Sequence, residues 1–311
     1  MPDPLVAGQV RRRAAPGQAS SHRERTYAYL TLLPALLIVA GFTVYPLVYS
    51  VYLSLHREIL TDPLNHPFTG LTNYAQVLGS YYLVSSTLST IIFAALAVPA
   101  VLAFGLAVAL LLNQSFAGSA FLRVVILLPW AMPAVISGIV WRWIFNGDYG
   151  VLNNLLSSLG IIHQYIPWLS TPATARAGLV VAQVWREGPL AAIFLLAALQ
   201  TIPRELYSAA KVDGGGGWSA FRHVTLPMLR PTLSIVLIYE TIVAVVTFDL
   251  VYVMTGGGPG DATSLISWYA YTEVFKFVNL GHGAALAFLI AAALVVVILI
   301  YLRALRSEEL Y

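Results

Sequence analysis

The 311-residue sequence has no cysteine, only two lysines, and few charges of either sign, with Asp, Glu, Lys and Arg together making up 10% of the chain. Without cysteine there is no disulfide, thiolate metal site or cysteine nucleophile. The lysines, Lys211 before Val212 and Lys276 before Phe277, do not complete the Gly-x-x-x-x-Gly-Lys-[Ser/Thr] phosphate loop. The Gly214–Gly217 run follows a helical pattern and not a strand, and Gly-x-Gly-x-x-Gly fails at Ser219. No His-x-x-x-His pair and no paired-carboxylate hydrolase arrangement occurs. No catalytic residue, resident cofactor or metal site is therefore expected on this chain. Soluble domains carry about 25% charged residues. With 59% hydrophobic residues and a mean hydropathy of +0.77, this chain is expected to be an all-α, polytopic membrane protein. Its 17 basic residues lie at the chain ends and between apolar runs, which argues against a nucleic-acid-binding stripe.

A spanning helix needs roughly 20 apolar residues. Six runs qualify, approximately Tyr27–Leu53, Leu83–Leu112, Val124–Phe145, Ala175–Leu199, Leu233–Met254 and Ala284–Leu302. The first is longer than a signal-peptide core and lacks a cleavage site, so it is read as an uncleaved span. Residues 1–26, rich in arginine, are expected to form a flexible tail, 27–306 the six-helix domain, and 307–311 a short second tail. With the N-terminus inside, twelve basic residues fall on the cytosolic side and four (Arg57, Arg142, Arg176 and Lys276) outside, with Arg186 within a span. This asymmetry places both termini in the cytosol. Tyr81, Tyr82, Trp141, Trp143 and Trp168 then suit the outer interface.

The second inner loop is the most informative segment. Pro203 suits the first turn of a helix and Gly214 its left-handed end. Leu206, Ala209 and Ala210 share one face at i, i+3, i+4 spacing, and Trp218 and Phe221 repeat that spacing after the glycines. A short helix, a turn and a second short helix are expected, presenting small and aromatic groups suited to a groove on a partner.

This loop resembles the EAA loop of permease subunits of bacterial ATP-binding-cassette importers. Ala209, Ala210, Gly214, Leu226 and Pro227 stand at the family's positions, while Ser208 replaces its Glu and Val224 its Ile. Glu205, one turn earlier, offers a carboxylate in place of the missing one. The resemblance makes 202–227 the loop that couples to the ATPase, with Asp213, Trp218 and Phe221 among its contact residues. Three further segments are similar to carbohydrate-importer permeases of the maltose/trehalose/glycerol-phosphate type. They are Gly70–Tyr74, the Leu128-Pro129 region with Trp141, Trp143, Phe145, Gly150 and Asn153, and Phe248–Tyr252 followed by Thr255–Pro259. The resemblance implies a multi-pass protein of the bacterial plasma membrane. It implies as partners a second permease, two ATPases carrying ATP and Mg²⁺, an extracytoplasmic sugar-binding protein and a carbohydrate substrate.

Ionisable groups inside spans are costly and mark candidate functional sites. Arg186 and Glu187 lie mid-span but are neighbours that do not share a helix face, so one of them is expected to pair with another helix. Glu240 lies in the fifth run, with Asp249 nine residues on, toward the opposite face. With Trp185 and Tyr252 beside them for stacking, these six are the candidate substrate-pathway residues. They are also open to a structural reading as interhelical contacts. The competing function is a self-sufficient, proton-coupled secondary transporter using Glu187, Glu240 or Asp249. It needs no inner docking loop and would show paired interrupted helices.

Overall fold

The structure, a computed structural model, describes residues 19–62 and 64–306. Residues 1–18 and 307–311, which hold most of the first expected tail and all of the second, lie outside the described residues. The chain divides into two units, 1–52 and 53–311. In the first, α1 (Ala19–Val39) passes through a π turn (Ala40–Val44) into α2 (Tyr45–Ser54). Helix thus begins eight residues before the expected start of the first span at Tyr27. The stretch Tyr29–Ser54 is long and apolar enough to span. The wide turn lies just ahead of Pro46, whose ring displaces the carbonyl four residues back from the regular ladder.

The second unit contains α3 (Thr72–Leu78), α4 (Tyr81–Leu112), α5 (Ser119–Val125), α6 (Leu128–Ala131), α7 (Ala134–Ile144) and α8 (Val151–Ser158). There follow α9 (Pro172–Thr201), α10 (Arg204–Val212), α11 (Gly217–Ala220), α12 (Leu226–Val246), α13 (Asp249–Met254), α14 (Ile266–Tyr271) and α15 (Leu280–Arg306). Among the described residues there is no strand, only two isolated bridges, His56–Phe68 and Ile59–Asn279.

Helices α4 and α9 form the principal packing pair, with α12 against both. Small residues permit the close approach, as is common between helices in membranes. A Cβ on Gly105 would lie 2.8 Å from the Ala191 Cβ and 3.1 Å from the Ala192 nitrogen, and one on Gly188 would run into the Phe104 ring. One core cluster gathers Phe93, Phe145, Leu179, Val251 and Trp268, and a second Leu112, Leu195, Leu199 and Leu229.

Two expected spans are broken. The run Val124–Phe145 is not one helix: α5–α6 (Ser119–Ala131) and α7 meet at 93°. Met132 stands before Pro133 and takes extended geometry (ψ 141°), as a residue preceding proline must to clear the ring. Among the described residues five helices are therefore long and apolar enough to cross a membrane, or six if the bent pair is one span. The fifth run also differs, since helix extends from Gly217 to Val246 and stops at Thr247 (ψ 115°), so 249–254 forms the separate α13.

Candidate coupling surface and transport-path residues

The exposed inner segment is built from its backbone upward. Pro203 (ψ 133°) is the extended residue that starts α10, one position before the helix and not inside its first turn. At the other end the Gly214 N–H donates to the Lys211 carbonyl (3.2 Å) and the Gly215 N–H to the Ala210 carbonyl (2.8 Å). Gly214 sits at φ +79°, the left-handed cap that a side chain disfavours. The chain then re-enters helix at Gly217. The expected second short helix is in fact the first turn of a 30-residue helix. In it α11, a π turn (Phe221–Thr225) and α12 run on to Val246, about 45 Å at 1.5 Å per residue. As at Pro46, the wide turn precedes a proline two residues later, here Pro227.

Glu205, Ser208, Ala209 and Asp213 are exposed, and Ala210, Leu226 and Pro227 are half-buried. The Ser208 hydroxyl turns back to the Arg204 carbonyl (3.3 Å). Trp218 is 73% exposed and stacks on Phe221 at 5.4 Å between ring centroids. Tyr207, which sequence reasoning left unremarked, bonds through its hydroxyl to the Thr225 Oγ1 (3.1 Å) and ties α10 to the π turn. Its position three residues before Ala210 was the available signal. With Leu110, Gly217, Trp218, Ala220, Phe221 and Thr225 it lines an open, mainly apolar cavity of about 580 Å³.

The charged residues of the fourth span pair with each other. Arg186 Nη1 bonds Glu187 Oε1, the neighbour it was expected to face away from, because the long arginine stem wraps around α9. Glu187 is 2% exposed and Glu240, on α12, 1%. Gln183, one turn before Glu187, is equally buried and was missed, although its i, i+4 spacing to Glu187 is readable. Trp185 meets Trp141 edge-on at 5.8 Å, and Trp141 stacks on Phe145 at 5.3 Å. Asp249 opens α13, half-buried. The helix break at Thr247 removes it from the face on which counting from Glu240 placed it.

Tyr252, 49% exposed, belongs to an aromatic group with Phe248 (5.4 Å), Tyr271 (5.6 Å) and Trp268 (6.0 Å). Phe275 extends it against Tyr271, and Lys276 Nζ stands 4.4 Å over the Trp268 ring. Trp268, Tyr271 and Phe275 were missed because they come from a segment whose course sequence alone does not reveal.

The loops opposite the coupling segment are held by side chains that each have a defined role. Asn153, fully buried, donates to the Ile166 carbonyl (2.9 Å) and accepts from the Ile166 N–H and from Trp168 Nε1 (2.9 Å). Asn73 donates to the carbonyls of Ser54 and His56. Arg176 and Arg142 donate to the carbonyls of Ala262 (2.8 Å) and Val253 (3.2 Å). Thr263 bonds Thr255 and the Gly258 carbonyl. A buried polar stripe on α4, Ser86, Ser89 and Thr90, meets Ser264, the Asp261 carbonyl and the Ile266 N–H. Arg57 bonds Asp62 (2.7 Å) and holds its carboxyl below the usual aspartate range. Trp141 and Trp168 thus pack into the protein, whereas Tyr81, Tyr82 and Trp143 are exposed, as an interfacial belt requires.

The described residues thus form an all-helical domain with helices of membrane-spanning length and an exposed helix–turn–helix segment. The chain belongs to the family of binding-protein-dependent transport system inner membrane components, whose model matches residues 101–307, and is a permease subunit of an ATP-binding-cassette importer. It is 39% identical over 291 residues to the trehalose/maltose transport system permease protein MalF of Thermococcus litoralis, covering 93% of this chain and 96% of that protein. It is 37% identical over 286 residues to the sulfoquinovosyl glycerol transport system permease protein SmoG of Agrobacterium fabrum, covering 92% of each. Its fold matches a chain of a bacterial ABC transporter involved in the import of the acidic polysaccharide alginate. The TM-score is 0.80 at 20% identity, covering 94% of this chain and 100% of that one. Membership of this family supports the importer over the self-sufficient proton-coupled transporter.

Proposed function

We propose that this chain forms half of the translocation pathway of a carbohydrate importer in a bacterial plasma membrane, with both termini in the cytosol. A second permease completes the pathway, two ATPase subunits carry ATP and Mg²⁺, and an extracytoplasmic binding protein delivers the sugar. The names of the trehalose/maltose and sulfoquinovosyl glycerol relatives support the sugar class, and the family's description supports the binding protein. The basic-residue asymmetry supports the orientation.

The observation that carries the coupling is the continuity of Gly217–Val246. One helix has the exposed Trp218 at its cytosolic end and Glu240 deep in the membrane domain, so force applied by an ATPase to the 203–227 loop moves a transmembrane element directly. Among the six pathway candidates, burial divides the roles. Tyr252, Trp185 and Asp249 reach the surface, where a pathway shared with a second permease must lie, and can stack on or hydrogen-bond a sugar. Glu187 and Glu240 are enclosed within the single chain, on α9 and α12, with Arg186 part-exposed beside Glu187.

The test is uptake by the complete complex in proteoliposomes, with trehalose and maltose as probes and the loaded binding protein outside. Uptake is expected to require ATP on the ATPase side and to ignore a protonophore. Uptake that persists without ATP and collapses with the protonophore would overturn the proposal.

A further inference from the structure

Arg186, Glu187 and Glu240 bring one guanidinium and two carboxylates into the membrane interior, where an uncompensated charge is costly. The guanidinium is bonded to Glu187, yet its Nε is buried with no hydrogen-bond partner. Glu187 Oε2, Glu240 Oε1 and both polar side-chain atoms of Gln183 are likewise buried and unpartnered. Glu240 stands on α12, which packs against α9, the helix that carries Arg186 and Glu187. One arginine cannot give both carboxylates a bidentate partner at once. The Gln183 amide, one helical turn from Glu187, is an uncharged donor within the same cluster.

We propose that Arg186 is a positioning residue that exchanges its ion-pair partner between Glu187 on its own helix and Glu240 on α12 as α12 moves during transport. In the arrangement described here the guanidinium rests on Glu187. When the Gly217–Val246 helix shifts against α9, the guanidinium transfers to Glu240 and the Gln183 amide takes over the freed Glu187 oxygen. Each end state then keeps a paired arginine, so α12 has two defined positions and not a continuum. The inference rests on the importer reading, because it needs a coupling segment that is driven from outside the chain.

The two carboxylates act in opposite directions, which makes the proposal testable. Glu240→Gln leaves Arg186 only Glu187, so it favours the described arrangement. It is expected to lower hydrolysis stimulated by the loaded binding protein several-fold, with basal hydrolysis little changed. Glu187→Gln leaves Arg186 only Glu240 and is expected to raise basal hydrolysis several-fold. Both are measured in the assembled complex in proteoliposomes, alongside the half-saturating concentration of loaded binding protein. Should either variant fail to assemble, Glu240→Asp and Glu187→Asp shorten the reach but keep the charge, and are expected to show the same opposed signs more weakly. Shifts in the same direction, or unchanged hydrolysis with an altered half-saturating concentration, would overturn the exchange. Absence of stimulated hydrolysis in the wild-type complex would instead overturn the importer reading itself.

Discussion

Arg176, in the first turns of α9, donates from Nε to the backbone carbonyl of Ala262 at 2.8 Å, linking residues 86 apart in sequence. The bond anchors the glycine-rich segment that follows α13, and Arg142, from α7, bonds the Val253 carbonyl near the end of α13 itself. Two of the four basic residues that count against the inside-positive rule therefore have a structural reason to be where they are.

Removing that anchor is expected to loosen the outer segment. Arg176→Ala takes away a hydrogen bond from a charged donor, worth about 1.5–3 kcal/mol. Thermal unfolding of the detergent-solubilised complex should move to lower temperature, and 255–265 should become more susceptible to protease. An unchanged melting temperature and digestion pattern would show that Ala262 finds another donor.

The proposed coupling requires the left-handed turn at Gly214. Gly214→Val places a β-branched residue at φ +79° and displaces the segment carrying Trp218 from α10. Membrane insertion is expected to survive, while co-purification of the ATPases and stimulated hydrolysis fall. Full stimulated hydrolysis in this variant would remove the docking assignment.

Sidedness can be read without background, because the wild type has no cysteine. Ser264, in an outer segment, is only 8% exposed and makes a poor reporter. His163, exposed in the loop after α8, and Val212, 87% exposed at the end of α10, are better. In intact cells an impermeant thiol reagent should label His163→Cys but not Val212→Cys, and both in opened membranes. The reverse pattern would invert the topology.

The α4–α9 crossing should not tolerate bulk. Gly188→Leu drives a side chain into Phe104, and overpacking of this kind costs about 1–3 kcal/mol. Reduced thermal stability is expected, with partial recovery when Phe104→Ala is added. Failure of the second change to restore anything would place the clash elsewhere.

Apolar runs of spanning length and the spacing of Ala209, Ala210, Gly214 and Pro227 are local properties, and they were sufficient for the helical membrane class and the family resemblance. Hydropathy averages over a window, however, and is blind to a single backbone angle. Met132 before Pro133 bends the third run by 93°, and Thr247 ends the fifth early, although both windows remain apolar. Helical counting from Glu240 to Asp249 failed for that reason.

Partner choice was the other thing that only the tertiary structure decided. A side chain's partner depends on which helices touch and on how far a flexible stem can reach, and neither is a function of spacing along the chain. Arg186 thus lies on Glu187 despite their divergent positions on α9, Tyr207 finds Thr225, and Trp268 and Tyr271 converge on Tyr252. The amino-acid order determined which segments are long and apolar enough to span and which form the exposed helix–turn–helix, because those depend on transfer free energy and local backbone preference. Packing alone determined which buried charges share an enclosure, because that requires α9 and α12 to be brought into contact first.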